Sequence, residues 1–169
     1  VNITRKVKIA AAIAASALAL SGVTASVAQA SPNKSAKGIS IVVMGGAPND
    51  SFWSTVKNGT MDAALAVQNA GGKVTVLSMP NYDNFNADAA KLVAKMLTLK
   101  PSAVVIPDWV PDSMNDNIKK IRAAGIPVIL YNSGQDQVKA VDASIYIGSD
   151  EFVAGKTGGA YFASKGLKH

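Results

Sequence analysis

Short strand-like runs alternate with stretches of helical spacing from residue 39 to residue 165, and that alternation leaves the chain few choices of fold. Ile39-Ser40-Ile41-Val42-Val43 has strand character. It passes through Met44-Gly45-Gly46-Ala47-Pro48-Asn49-Asp50 into a helical pattern starting near Ser51. A strand that leads through a Gly/Pro/Asn turn into a helix is the first half of a βαβ unit. From Ser51 to Ala70 small or apolar residues recur at Val56, Gly59, Ala63, Ala66, Val67 and Ala70. Lys57, Asp62, Gln68 and Asn69 fall on other faces, so the spacing predicts a helix with that stripe inward, ended by Gly71-Gly72. Residues 73–78 alternate and are β-branched, a second strand. Ala89, Leu92, Val93, Met96 and Leu97 form a second helical stripe, which Pro101 stops. Residues 103–106 are a third strand, apolar without interruption, as in strands covered on both faces. Pro111 and Asp112 open a third helix with Met114, Ile118 and Ile121 inward; Gly125 and Pro127 end it. Strands four and five read at 128–131 and 143–147, and a fourth helix at 151–165 is weakened by Gly155, Gly158 and Gly159.

This order predicts an α/β fold, a parallel sheet with right-handed crossovers and helices on both faces. All strands then end on one edge, where open α/β sheets bind ligands. That edge carries Asp50, Phe52 and Trp53; Tyr82 and Asp83; Asp108 and Trp109; Tyr131 and Asn132; and Asp150. Both tryptophans of the chain lie on it. Aromatic faces beside carboxylates and amides suit a polyhydroxylated ligand. The C–H face of a sugar ring packs on an aromatic ring, and its hydroxyls bond to charged acceptors, which make the stronger hydrogen bonds. Each residue also has a plain reading: Phe52 and Trp53 as packing for the first helix, the carboxylates as caps and turn formers. Five aromatics gathered on one edge weigh toward a site.

Other chemistries find no footing. Gly45-Gly46 follows a strand, but no G-x-G-x-x-G is complete. His169 is the only histidine and there is no cysteine, so a histidine or thiolate metal site is not expected, nor a Ser/His/Asp triad. Asp50 and Asp108 as a glycosidase couple lack any local sign that one is kept protonated. No catalytic residue and no cofactor is expected.

The N-terminus reads as an address. Arg5, Lys6 and Lys8 form a basic region, Ile9 to Leu20 an apolar one, and Ala28-Gln29-Ala30 a small-residue cleavage pattern. The apolar run is too short to span a bilayer permanently, so no membrane span is expected after cleavage. Without residues 1–30 the formal charge falls from +6 to +3, and no clustered basic stripe points to nucleic acid. An exported chain free of cysteine suits a bacterial periplasm. Residues 1–30 are therefore assigned as signal peptide, 31–37 as a disordered leader, 38–150 as an α/β lobe, and 151–169 as one further helix.

The residues resemble a known family. The signal followed by Ile41-Val42-Val43-Met44 to Phe52-Trp53 is similar to periplasmic sugar-binding proteins of the ribose/galactose-binding type. So are Ala124-Gly125-Ile126-Pro127-Val128-Ile129 and Ile147-Gly148-Ser149-Asp150-Glu151-Phe152-Val153-Ala154-Gly155, the latter resembling the crossing into that family's second lobe. The resemblance implies two lobes closing on a sugar or polyol, and delivery to a membrane permease driven by an ATPase. It implies Asp50, Phe52 and Trp53 as first-loop ligand contacts, with Asp108, Trp109, Asn132 and Asp150 on the same edge. Many ribose-type members carry Asp-Arg where this chain has Asn132-Ser133, which points away from ribose, leaves the sugar unnamed and leaves a cyclitol or another small polar ligand open. A sensor domain of the same fold, signalling to a chemoreceptor or kinase, is the alternative. An enzyme is not expected. The resemblance also implies that the chain holds the first lobe plus one helix of a longer protein, with that helix poorly docked.

The export reading predicts a mature N-terminus at Ser31. Mass spectrometry of periplasmic protein would show it, and recovery of intact Val1 there would refute it.

Overall fold

The structure is a computed structural model that describes residues 35–167. The expected signal peptide, residues 31–34 of the leader, Lys168 and His169 lie outside the described residues. The order of elements is β1 (Ser40–Gly45), α1 (Ser51–Asn69), β2 (Lys73–Ser78), α2 (Phe85–Thr98), β3 (Ala103–Ile106), α3 (Pro111–Ala123), β4 (Val128–Tyr131), a 3-10 turn (Gln135–Gln137), β5 (Ile145–Ile147) and α4 (Glu151–Ser164). The five strands form one parallel sheet in the order β2-β1-β3-β4-β5. From β1 the chain moves outward to β2, then crosses back over β1 to β3. The strand order therefore reverses direction between β1 and β3, the place where α/β sheets open a crevice at their C-terminal edge.

Strand alternation sorts the core. Val42, Met44, Val104, Ile106, Val128 and Leu130 face α2 and α3, where they meet Val93, Met96, Met114, Ile118 and Ile121; none is more than 1% exposed. The stripes expected on α2 and α3 are the ones that pack here. On the other face α1 lies over β1 and β2. Its inward positions are Trp53, Val56, Thr60, Ala64 and Val67, whereas Gly59, Ala63 and Ala66 of the expected stripe are exposed. The reason is energetic: Val56 and Val67 lie inward in both arrangements, and burying Trp53 gains far more than burying glycine and alanine, so Trp53 sets the rotation of the helix.

Strand five begins at Ile145 and not at residue 143. Asp142 has a left-handed backbone (φ 54°), and the Ala143 N–H donates to Val138 O at 2.9 Å, away from the ladder. Of the expected leader, Ala36 is tied down, its N–H donating to Ala70 O at the end of α1 (2.7 Å). On the α1 side β5 stays open, with Ile145 52% and Ile147 59% exposed. No residue of α4 is buried, and Phe152 is 80% exposed. Apolar residues run all round this helix, a pattern that belongs to helices covered on every side. Among the described residues nothing covers it.

The two faces should therefore differ in cost. Ile106→Ala should destabilise the lobe by about 2–5 kcal/mol, the range for emptying a filled core position. Ile147→Ala on the open face should cost no more than about 1 kcal/mol. Urea unfolding of the two variants measures both, and equal losses would show that the β5 face is covered.

Candidate functional site

Trp53 is placed by glycine. β1 ends at Gly45, and the Trp53 indole lies flat against the turn that follows: a Cβ added at Gly46 would come within 2.1 Å of the ring. Only a residue without a side chain lets the ring approach the backbone this closely. Asp50 fixes the start of α1 from below, its Oδ1 accepting the N–H groups of Phe52 (2.8 Å) and Trp53 (3.2 Å) as the N-cap. Phe52 then points outward, 53% exposed, and Trp53 points across the edge.

The strand order brings β3's exit loop beside β1's, so Trp109 meets Trp53. Their ring centroids are 5.2 Å apart and edge-to-face. Phe52 lies 5.1 Å from Trp53 on one side, and Tyr131 at 6.1 Å from below. Beyond Trp109, Phe85 follows at 5.3 Å and Tyr82 at 5.9 Å from Phe85. The six rings form one continuous run, edge-to-face around Trp53 and tilted from Trp109 through Phe85 to Tyr82. Tyr131 is locked by its hydroxyl, which donates to Met44 O, and burial pushes that hydroxyl well above the usual phenol range.

Polar groups fix the ends of the run. The Tyr82 hydroxyl donates to Asp50 Oδ2 (2.9 Å) and accepts the Ala47 N–H (3.1 Å). The Trp53 N–H, then the Tyr82 hydroxyl, hold the Asp50 carboxyl below its ordinary value. Asn132 has φ 62°, a left-handed conformation that asparagine tolerates better than most residues. Its Oδ1 accepts the Trp109 Nε1–H at 3.4 Å, and its carbonyl accepts the Tyr146 hydroxyl at 3.0 Å.

Asp108 differs from the rest. It is 2% exposed, yet neither carboxyl oxygen has a hydrogen-bond partner among the described residues. It lies under the Asn132–Gly134 turn: its N–H donates to Ser133 O (3.2 Å), and a Cβ on Gly134 would sit 2.7 Å from its own Cβ. Burial, with a smaller contribution from the Asp136 charge, pushes its carboxyl up to about 6. A buried carboxylate without donors costs several kcal/mol in principle, about 1–3 kcal/mol or more per unmade bond, which is why it holds its proton into that range.

Of the residues expected at the site, Phe52, Trp53 and Trp109 come together in the ring run, Asn132 joins through Trp109, and Asp50 joins through Tyr82. Asp108 lies beneath the turn that carries Asn132. Asp150 stands apart: it caps α4, accepting the Val153 N–H at 2.9 Å. It borders a neighbouring open groove of ≈ 560 Å³, lined also by Asn132, Gly134, Asp136, Tyr146 and Phe152. Phe85 was not anticipated. It is the first residue of α2, and an aromatic at the first position of a helix beginning on this edge was the available signal. Tyr146 and Asp136 were also missed, because the 3-10 turn that brings Asp136 to the edge has no hydrophobic period. Among the described residues no group of three or more His, Cys, Asp or Glu could hold a metal ion.

Residues 39–168 match the family model of the periplasmic binding protein domain. A carbohydrate transporter from Acidothermus cellulolyticus 11B, crystallised in complex with myo-inositol, is 36% identical, with a TM-score of 0.62 over 78% of this chain and 44% of that one. GanP, a glucose-galactose binding protein from Geobacillus stearothermophilus, has a TM-score of 0.62 at 16% identity, covering 75% of this chain and 42% of its own. The sugar-binding protein of a sugar ABC transporter from Bacillus halodurans has a TM-score of 0.59 at 22% identity, covering 74% and 40%. The last two share the fold. No curated protein matches the chain. The chain thus spans less than half the length of these three structures. With the family model matched over most of its length and a relative more than a third identical, the chain belongs to the periplasmic binding protein family.

Proposed function

We propose that this chain is one lobe of the substrate-binding component of an ABC-type importer, taking a sugar or cyclitol in the periplasm and handing it to a membrane permease. The observation that carries the reading is the run of six rings at the β1/β3 switch point, with the unpartnered carboxyl of Asp108 beside it. A polyol ring has apolar C–H faces for the indoles and hydroxyl donors for a carboxylate that lacks them. The relative crystallised with myo-inositol supports a cyclitol in particular, as does the absence of an Asp-Arg pair at Asn132-Ser133. Among the described residues no helix is long and apolar enough to cross a membrane.

The parts divide the work. Phe52, Trp53 and Trp109 supply the stacking wall. Asp50 orients Tyr82 and the start of α1, since both its oxygens already accept bonds from them. Asn132 steadies Trp109. Asp108 accepts ligand hydroxyls when the turn above it yields, and Asp150 stands at the passage to the second lobe. One lobe leaves a ligand on an open, wet edge where each hydrogen bond contributes only about 1 kcal/mol net. Closure of a second lobe would bury most of the ligand and exclude that competition.

Calorimetry of the full-length protein against neutral sugars and cyclitols tests the reading, with myo-inositol first. Trp53→Ala should weaken binding by at least about 2 kcal/mol, roughly thirtyfold, as expected for a central aromatic contact. Gly46→Ala should act in the same direction by displacing the indole, with a shift in tryptophan fluorescence. A folded Trp53→Ala protein of unchanged affinity would return Trp53 to simple packing. The 169-residue chain alone should bind no tighter than about millimolar, since hydrogen bonds on a wet edge contribute little.

A further inference from the structure

The charges of the lobe are sorted by end. Each of the five strand-exit turns carries one aspartate: Asp50, Asp83, Asp108, Asp136 and Asp150. None of the turns at 46–50, 79–84, 107–110, 132–137 and 148–150 carries a lysine or arginine; the β4–β5 connection places its one lysine, Lys139, after the 3-10 turn, followed by Asp142. The first lysines of α1, α2 and α3 are Lys57, Lys91 and Lys119, each roughly a turn and a half or more down its helix at 3.6 residues per turn.

Helix capping explains only two of the five aspartates. Asp50 and Asp150 accept the N–H groups at the starts of α1 and α4. In doing so they fill, with the protein's own carboxylates, the helix ends where a ligand anion would otherwise dock. The N-caps of α2 and α3, Asn84 and Val110, make no side-chain cap bond, so Asp83, Asp108 and Asp136 serve no cap. Asp108 is the buried one, with both oxygens unpartnered. The ionisable side chains on the elements around it are Asp136 in the 3-10 turn, Tyr131 on β4, and on α3 Asp112 and Asp116, with Lys119, Lys120 and Arg122 following; none of these cations lies in the first two turns of α3.

We propose that this edge is an electrostatic filter that admits uncharged polyols and turns away their acids and phosphate esters, with Asp108 and Asp136 as its inner pair. The proposal rests on the polyol reading above and names the charge class of its ligand. An anion brought onto this lobe's edge meets aspartates with no lysine or arginine within the five turns that carry them, and like-charge juxtaposition weakens binding. Asp108 is neutral below about 6 and ionised above it. Rejection of anions should therefore strengthen as pH rises through that value and weaken as it falls.

Titration calorimetry of the full-length protein with four probes tests this: glucose and myo-inositol, with glucuronate and myo-inositol 1-phosphate as their charged counterparts. At pH 7.5 each anion should bind at least about 100-fold more weakly than its neutral parent. Glucuronate stays ionised across the range, so the glucose-to-glucuronate ratio should shrink several-fold between pH 7.5 and pH 5. Asp136→Asn, at an exposed position, should narrow the ratio at pH 7.5, and Asp108→Asn should remove its pH dependence. If Asp108→Asn does not fold, the wild-type pH profile and Asp136→Asn decide the matter. An acid or ester that binds as tightly as its parent overturns the filter and leaves the polyol reading standing. Binding of none of the four would sink that reading, and the filter with it.

Discussion

The approach of the Trp53 indole to the Gly45-Gly46 turn is the contact on which the rest of the lobe's upper edge depends. It sets the rotation of α1, because the helix must present Trp53 inward and brings Val56, Thr60, Ala64 and Val67 with it. It also carries a large ring to the one place in the sheet where neighbouring connections leave in opposite directions. There Trp53 meets Trp109 from β3, and the remaining rings fall into contact around the pair. A side chain at position 46 would disturb helix rotation and ring positions together, so the packing of α1 and the layout of the ring run share a single cause.

The electrostatics of the edge follow from the same architecture. Parallel strands put every helix start on one side of the lobe, and helix starts attract carboxylates. Two aspartates answer that demand directly and lose their freedom to do anything else. Asp50 goes further, since its second oxygen holds Tyr82 and so couples the first turn of α1 to the loop after β2. The buried carboxyl beneath the Asn132–Gly134 turn has no such employment in the lobe itself. Its two oxygens are buried without a hydrogen-bond partner among the described residues, and the proposed contact with ligand hydroxyls rests on that.

Most of the fold was legible in the sequence because its signals are local and redundant. Strands two, three and four and the starts of α1, α3 and α4 fall where β-branched runs, Pro111 and Asp50 or Asp150 place them. The stripe on α1 was misjudged because a period of small residues beside a period of larger ones is ambiguous until the turn before the helix is seen in space. The start of β5 was misplaced because the left-handed Asp142 and the Ala143–Val138 bond are loop features without a pattern of their own. At the site, five of the six rings could be written down from topology alone, and Phe85, which opens α2, could not. What topology could not supply is how each polar group is spent: Asp50 and Asp150 as caps, Asn132 as the anchor of Trp109, Asp108 left unpartnered.

The left-handed backbone at Asn132 has a consequence for how such a lobe can change its diet. A left-handed position accepts asparagine, aspartate and glycine with little strain and resists β-branched or bulky residues. The turn therefore restricts which side chains can be tried here while leaving an amide and a carboxylate interchangeable in backbone terms. One substitution of a single base pair's scale could swap a neutral acceptor for a charged one above Asp108 without moving β4, the 3-10 turn or the ring of Trp109. The backbone at this corner acts as a socket for a short list of residues, so descendants of this chain can change the charge at position 132 while inheriting its fold unchanged.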